Sequence, residues 1–216
     1  MKIDFHVHTK YSYDSIIHPK HLARKSRELG IIPAVTDHDT MEGSNQMRSL
    51  GAECIPGIEI RTERGDLTGL YLNEPIAKGI PVMEALDKIH EQGGISYLPH
   101  MYESRRSGLV PEKEEIPKID IIEVFNARCL DQKLNDRAKA FAEKHGILQA
   151  AGTDAHFIIE FGSTYTELPD FDLENPKELL KALPKAKLVT KQAPFRVRGP
   201  TILISWGKRL LKSAGF

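Results

Sequence analysis

The chain has 216 residues, and its 30 Lys and Arg balance 30 Asp and Glu, so no net field singles out nucleic acid or an anionic membrane as the main partner. The length suits one α/β domain with a full core; no apolar run reaches the ~20 residues of a membrane-spanning helix, and no apolar leader opens the chain, which together predict a soluble, cytoplasmic protein with no membrane contact. Cys54 and Cys129 form no CxxC pair and fit a reducing compartment rather than a disulfide framework.

In chain order, Ile3–Val7 alternates apolar and polar residues as a half-buried strand does, which places His6 and His8 on one face. Pro19–Leu29 reads as a helix, with Pro in its first turn and Gly30 beyond its end. Strand-like runs follow at Ile31–Thr36, Ala52–Ile58 and Leu67–Leu72. Val82–Gln92 is helical, with Val82, Leu86 and Ile89 on one stripe and Gly93 and Gly94 as its stop. Strands are then expected at Ile95–Leu98, Ile121–Phe125 and Leu148–Ala151, and helices over Asp131–His145 and Asn175–Leu183, the latter capped by Asn175.

Seven strands alternating with helices indicate βα units around parallel strands. The expected fold class is α/β, a distorted seven-stranded (βα)7 TIM-like barrel over residues 1–190, with an open doubly wound sheet as the alternative. The tail, 191–216, carries six basic residues and no acidic one, with Ile202, Leu203, Ile204, Trp206, Leu210 and Leu211 among them. It is expected to pack its apolar side on the barrel; contact with a membrane surface or nucleic acid is the other reading.

Chemistry-bearing residues gather at the C-terminal ends of these strands, the face where barrels assemble ligands. His6 and His8 end the first strand, with Asp14 in the loop beyond; His38, Glu59, His100, Asn126, Asp154 and His156 follow at later strand ends. Imidazole and carboxylate without thiolate suit Zn, Mn or Fe, and nine candidate ligands are too many for one ion, so two or three divalent metal ions are expected. Strand parity turns Asp37 away from His38 and gives it a role in supporting the ligands or in the structure.

The segments "DFHVHTKYSYDS", "VTDHDT", "PGIE", "LPH", "EVFN" and "GTDAH", in that order, resemble the motifs of the polymerase-and-histidinol-phosphatase (PHP) family of metal-dependent phosphoesterases. The resemblance runs from about Lys2 to about Leu188. It implies that His6, His8, Glu59 and Asp154 hold one metal, that Glu59 bridges to a second shared with His100 and Asn126, and that Asp14, His38 and His156 hold a third. Asn126 departs from the pattern, since its position often carries a stronger ligand than a neutral amide.

A water held between two such metals loses its proton near neutral pH and is poised to attack phosphorus. Asp154, His156, Arg128 and Arg105 are therefore the candidate catalytic residues, with Arg106 beside them; the arginines would grip phosphate oxygens, Arg128 being favoured by strand parity. Lys10 and Tyr11 are weaker candidates for that job. His18, His21, His90 and His145 read as surface or capping residues, and Cys129 lacks a partner base. The expected activity is hydrolysis of a phosphate ester of a small metabolite or nucleotide. The alternatives are a 5'-3' exonuclease on short RNA or single-stranded DNA, and a non-catalytic, metal-stabilised scaffold.

Overall fold

The computed structural model describes residues 1–194. The expectation for the tail therefore falls almost entirely outside the described residues. Nine strands form one sheet: β1 (Lys2–Val7), β2 (Ile32–Val35), β3 (Ile55–Arg61), β4 (Asp66–Leu70), β5 (Ile95–Leu98), β6 (Ile121–Asn126), β7 (Leu148–Gly152), β8 (Tyr165–Glu167) and β9 (Lys187–Val189), in the order β7-β6-β5-β4-β3-β2-β1-β8-β9. Five helices join them: α1 (Pro19–Leu29), α2 (Glu42–Ser49), α3 (Val82–Glu91), α4 (Gln132–His145) and α5 (Pro176–Ala182). Among the described residues no helix is long and apolar enough to cross a membrane.

The α/β class and barrel-like curvature match the sequence reading, but the count is nine strands rather than seven, and the βα repeat is interrupted. β4 runs antiparallel to both β3 and β5, as the return strand of a hairpin. β1–β2–β3 and β5–β6–β7 pair in parallel, and the short β8 and β9 add antiparallel pairings beyond β1.

Closure is confined to one end. The start of β1 pairs with β8, through Lys2 opposite Glu167 and Ile3 opposite Thr166. The end of β1 instead meets the residues after β7: Asp154 N–H donates to His6 O (2.8 Å) and His8 N–H to Ala155 O (3.0 Å). The barrel thus joins up at the C-terminal ends of its parallel strands, where His6, His8, Asp154 and His156 lie.

One apolar cluster fills the interior, with Ile3, Phe5, Ala34, Ile55, Leu70, Ile95, Tyr97, Ile121 and Ala150 from β1 to β7. Leu179 and Ala182 of α5, with Leu183, plug it at the opposite end from the histidines. A second cluster packs α3 and α4 outside β3–β6, and a third packs α1 and α2 outside β1 and β2. Register breaks in β1, between Asp4 and Val7, and in β6, between Glu123 and Phe125. Such bulges re-aim side chains: Phe5 joins the interior whereas Val7 joins the outer layer, and Glu123 and Asn126, three apart, come to share a face, where they are hydrogen bonded.

Candidate metal centre

Three of the histidines at the closed end, His6, His8 and His156, are each fixed through one ring nitrogen. His6 Nδ1 contacts Glu123 Oε1 (3.1 Å), and a carboxylate can only accept, so Nδ1 carries a proton and Nε2 is the nitrogen that faces inward. Ser12 Oγ donates to Asp37 Oδ1 (2.7 Å) and so accepts from His8 Nδ1 (3.0 Å), which exposes the His8 Nε2 lone pair. His156 Nδ1 donates to the Asp154 carbonyl (2.8 Å), again freeing Nε2. Asp37 also takes the Thr9 N–H and hydroxyl at 2.6 Å each and so stands behind Ser12 and His8.

The inward atoms crowd together. His6 Nε2 and His8 Nε2 are 3.0 Å apart. Glu59 Oε2 lies 3.5, 3.3 and 3.1 Å from His6 Nε2, His8 Nε2 and His38 Nδ1, while its Oε1 lies 3.0 Å from His100 Nε2. One carboxylate therefore faces two sets of imidazoles, as a bridging ligand must. Asp154 Oδ1 is 3.8 and 3.4 Å from His6 and His8 Nε2. Asp14 Oδ2 is 2.9 Å from His156 Nε2 and 3.5 Å from His38 Nε2. Among the described residues, Asp14 Oδ1, Asp154 Oδ1 and His100 Nδ1 are buried with no hydrogen-bond partner.

Orphaned buried oxygens beside converging ring nitrogens are costly unless a cation satisfies them. The residues fit divalent metal. Among the described residues four donor sets each have ligand atoms within 4.8 Å of one another: His6, His8 and Glu59; His6, His100 and Asp154; His8, His38 and His156; and Glu59, Asp66 and His100.

The protonation equilibria reflect the same crowding. Burial pushes His6 down, but Glu59 and Glu123 outweigh it and raise its pKa to about 10. Burial likewise opposes His38, which Glu59 and Asp14 lift to about 9. His8 is held well below its ordinary value by burial, reinforced by His156 and His38. His156 falls to about 3, because burial outweighs the attraction of Asp14. Glu59 lies well below the usual carboxylate range, its burial overcome by His6 and His38.

His100 (φ 30°) and Asp154 (φ 55°) adopt left-handed backbone conformations without being glycine. Such conformations cost about 1–3 kcal/mol and persist only where neighbours fix them. Here the His100 N–H donates to Glu123 Oε2 (2.8 Å) and the Asp154 N–H to His6 O (2.8 Å).

Asn126 reaches the centre with a different orientation from that expected of a ligand. Its Oδ1 accepts from the Arg128 N–H (2.9 Å) and Arg106 Nη1 (3.1 Å), and its Nδ2 donates to Glu123 Oε2 (2.8 Å) and Asp154 Oδ2 (3.0 Å). Arg106 also pairs with Asp154 Oδ2. Arg128, only 7% exposed, is held through Nε by Glu160 Oε1 (3.0 Å). Arg61, Arg105, Arg106 and Arg128 line a cleft of about 350 Å³ that opens onto Glu59, His100, Asp154 and His156. Tyr13, whose ring stacks on His38 at 4.5 Å, forms part of its wall. Lys10 and Tyr11 do not line this cleft; the Lys10 amine lies over the Tyr11 ring.

Two acidic residues absent from the sequence-based site come into view. Glu123 accepts from His6 Nδ1, the Tyr97 hydroxyl, the His100 N–H and Asn126 Nδ2. Asp66 reaches the centre from the first residue of β4. The other histidines have separate occupations: His18 caps α1 through Nδ1, and His90 bonds Asp120 (2.9 Å). The Cys129 thiol is pushed up to about 12 by burial and Glu103, which disfavours a nucleophilic thiolate.

Comparison with known proteins bears on this centre. A family profile described as PHP-associated matches residues 132–188. Protein MJ0417 of Methanocaldococcus jannaschii, itself uncharacterised, is 38% identical over 186 residues, spanning 83% of this chain and 75% of its own. MJ1587 of the same organism is 37% identical over 153 residues, 64% of this chain and 89% of its own. Among solved structures, a Bacteroides vulgatus two-domain protein containing a PHP-like metal-dependent phosphoesterase superposes with a TM-score of 0.71 at 16% identity, over 96% of this chain and 69% of that one. The lesion-specific endonuclease PfuEndoQ of Pyrococcus furiosus does so at 0.62 and 15% identity, over 87% and 57%. At these identities the two structures speak for the fold alone.

Proposed function

We propose, from the premise that the chain belongs to the polymerase-and-histidinol-phosphatase family of metal-dependent phosphoesterases, that it hydrolyses phosphate esters at this centre with two or three divalent ions, Mn, Zn or Fe. The observation that carries the reading is the convergence of His6, His8, His38, His100, His156, Glu59, Asp14 and Asp154 on a cleft lined by arginines.

On this reading His6, His8, Glu59 and Asp154 hold one ion, Glu59 and His100 contribute to a second, and Asp14, His38 and His156 hold a third. Bound ions would polarise phosphoryl oxygens and supply a nucleophilic water at neutral pH. The chain's own residues do the rest. Glu123 and Ser12 fix the ring orientation of His6 and His8. Asn126 acts by orientation rather than ligation, holding Asp154 and Glu123 in place. Arg106 and Arg105 present guanidinium groups to the cleft, where they would offset the charge that develops on a transferring phosphoryl group. Arg128, braced by Glu160, adds a third such group.

A cleft of about 350 Å³ matches the lower range of small-molecule sites, ~300–1,000 Å³. A small phosphorylated metabolite or a nucleotide is therefore the preferred substrate class. The second reading is a 5'-3' exonuclease on short RNA or single-stranded DNA; the lesion-specific endonuclease PfuEndoQ, which shares the fold, is one protein of this architecture that acts on nucleic acid. Purified protein loaded with Mn²⁺ should be assayed on an aryl phosphate, a bis-aryl phosphate and short RNA and DNA oligomers. Turnover of the monoester supports the first reading. Selective cleavage of oligomers, weakening steeply with salt, replaces it with the second. Failure on every substrate leaves the metal-stabilised scaffold.

A further inference from the structure

The reversed direction of β4 brings to the centre a carboxylate that no strand-end pattern announces. We propose that Asp66 is the third protein ligand of the second metal, beside Glu59 and His100, in the place that the family pattern would give Asn126. The assignment rests on the metal-dependent reading above and adds a residue to it.

Asp66 is the first residue of β4, and because that strand is antiparallel its beginning lies at the same end as the terminus of β3, with Asp66 opposite Arg61 and Thr68 opposite Glu59. Alternation along the strand turns Asp66 and Leu70 to the same side, and Leu70 belongs to the interior cluster whereas Leu67 belongs to the outer one. Asp66 is 2% exposed. Ligand atoms of Glu59, Asp66 and His100 lie within 4.8 Å of one another. Among the described residues Asp66 Oδ1 has no aligned hydrogen-bond donor and is held only by its ion pair with Arg61 Nε (2.6 Å). Both residues line the cleft.

Asn126 is poorly placed to compete. Turning its oxygen toward a metal would break its bonds from Arg128 and Arg106 and swing its amide off Glu123 and Asp154. A neutral amide also brings no charge to a divalent ion, whereas Glu59, Asp66 and His100 offer two carboxylates and an imidazole. That set suits Mn²⁺, Fe²⁺ or Zn²⁺ and leaves positions for substrate.

The test is metal stoichiometry, read independently of activity. Wild type, Asp66→Ala, Asp66→Asn, Arg61→Ala and Asn126→Ala are dialysed against Mn²⁺ and analysed for bound metal, with folding checked by circular dichroism. Asp66→Ala should lose one equivalent, Asp66→Asn should bind that equivalent at least tenfold more weakly, and Arg61→Ala should keep the full complement. A wild type that binds no divalent metal refutes the underlying reading. A wild type holding two or three ions beside a folded Asp66→Ala with the same number and affinity refutes only the assignment of Asp66. So does loss of one equivalent in Asn126→Ala but not in Asp66→Ala. If Asp66→Ala does not fold, Asp66→Asn decides, and wild-type affinity in it overturns the proposal.

Discussion

Glu123→Gln isolates the role of the residue that stands behind the metal centre. The two Glu123 oxygens accept four bonds: His6 Nδ1 (3.1 Å) and the Tyr97 hydroxyl (2.9 Å) on Oε1, the His100 N–H (2.8 Å) and Asn126 Nδ2 (2.8 Å) on Oε2. Glutamine keeps the shape but turns one oxygen into a donor, and whichever side the amide takes, two donors face it. Loss of two bonds to a buried charged acceptor, at about 1.5–3 kcal/mol each, should destabilise the fold by about 3–6 kcal/mol. That is a large share of the ~5–15 kcal/mol by which domains are stable. Because Glu123 also sets the tautomer of His6, metal affinity should fall about 10- to 100-fold, as for other partners of metal-bound histidines. Urea unfolding in chelator measures the first effect, and Mn²⁺ competition against a chromophoric chelator measures the second. A variant with the wild-type unfolding midpoint and Mn²⁺ affinity would refute the orienting role.

Asp154→Ala and His8→Ala should each abolish turnover and lower bound metal; full activity in both would overturn the site. Gly152→Ala should be damaging despite its small size, because an added Cβ would meet His6 Cβ at 2.5 Å and Glu123 Oε1 at 2.6 Å. Overpacking of this kind costs about 1–3 kcal/mol, so unchanged stability and metal affinity would contradict the packing described. His6 and His38, with pKa values raised to about 10 and about 9, carry protons at pH 7.5 that ligation must remove, so metal loading should release up to two protons. The observed enthalpy of Mn²⁺ binding should then vary with buffer ionisation enthalpy and affinity should rise with pH; buffer-independent heats would refute this. The same raised values stabilise the metal-free fold fully below pH ~6.5, an effect lost as pH rises through about 9 to 10.

The sequence carried the helices wherever local chemistry marks their ends. Pro19 and Gly30 bracket α1, and its bounds agree with the reading residue for residue. α2 escaped because its buried face is Gly43, Ser44 and Met47, which makes no apolar stripe. Gly43 is there for fit, since a Cβ would lie 1.9 Å from Asp37 Oδ2. β3 was placed three residues early because Ala52 and Cys54, though buried, belong to the loop that packs under α1 and α2. β8 and β9, three residues each, are too short to show a period. The candidate ligands at the ends of parallel strands were legible because position and chemistry coincide there. Glu123 and Asp66 were not, since one depends on a bulge and the other on the direction of a strand.

That difference points to a physical criterion for telling ligands from their supports when both are buried acids. Asp4 accepts the Thr153 N–H (2.9 Å), the Thr153 hydroxyl (2.5 Å) and the His6 N–H (3.4 Å). Asp37 takes three donors from Thr9 and Ser12, and Glu160 takes Arg128 together with the N–H groups of His156 and Phe157. These carboxylates are satisfied by the chain itself and have nothing left to offer a cation. Among the described residues Asp14 and Asp154 each retain a buried oxygen with no hydrogen-bond partner, Asp66 Oδ1 has only its ion pair with Arg61 (2.6 Å), and all three line the cleft. Since burying an unsatisfied carboxylate oxygen is costly, a fold that does so at Asp14 and Asp154, around one set of imidazoles and with Asp66 held only by a half-exposed arginine, is suited to cations there. By that criterion Asp66 groups with the proposed ligands, and Glu123, although nearer in sequence to Asn126, groups with the supports.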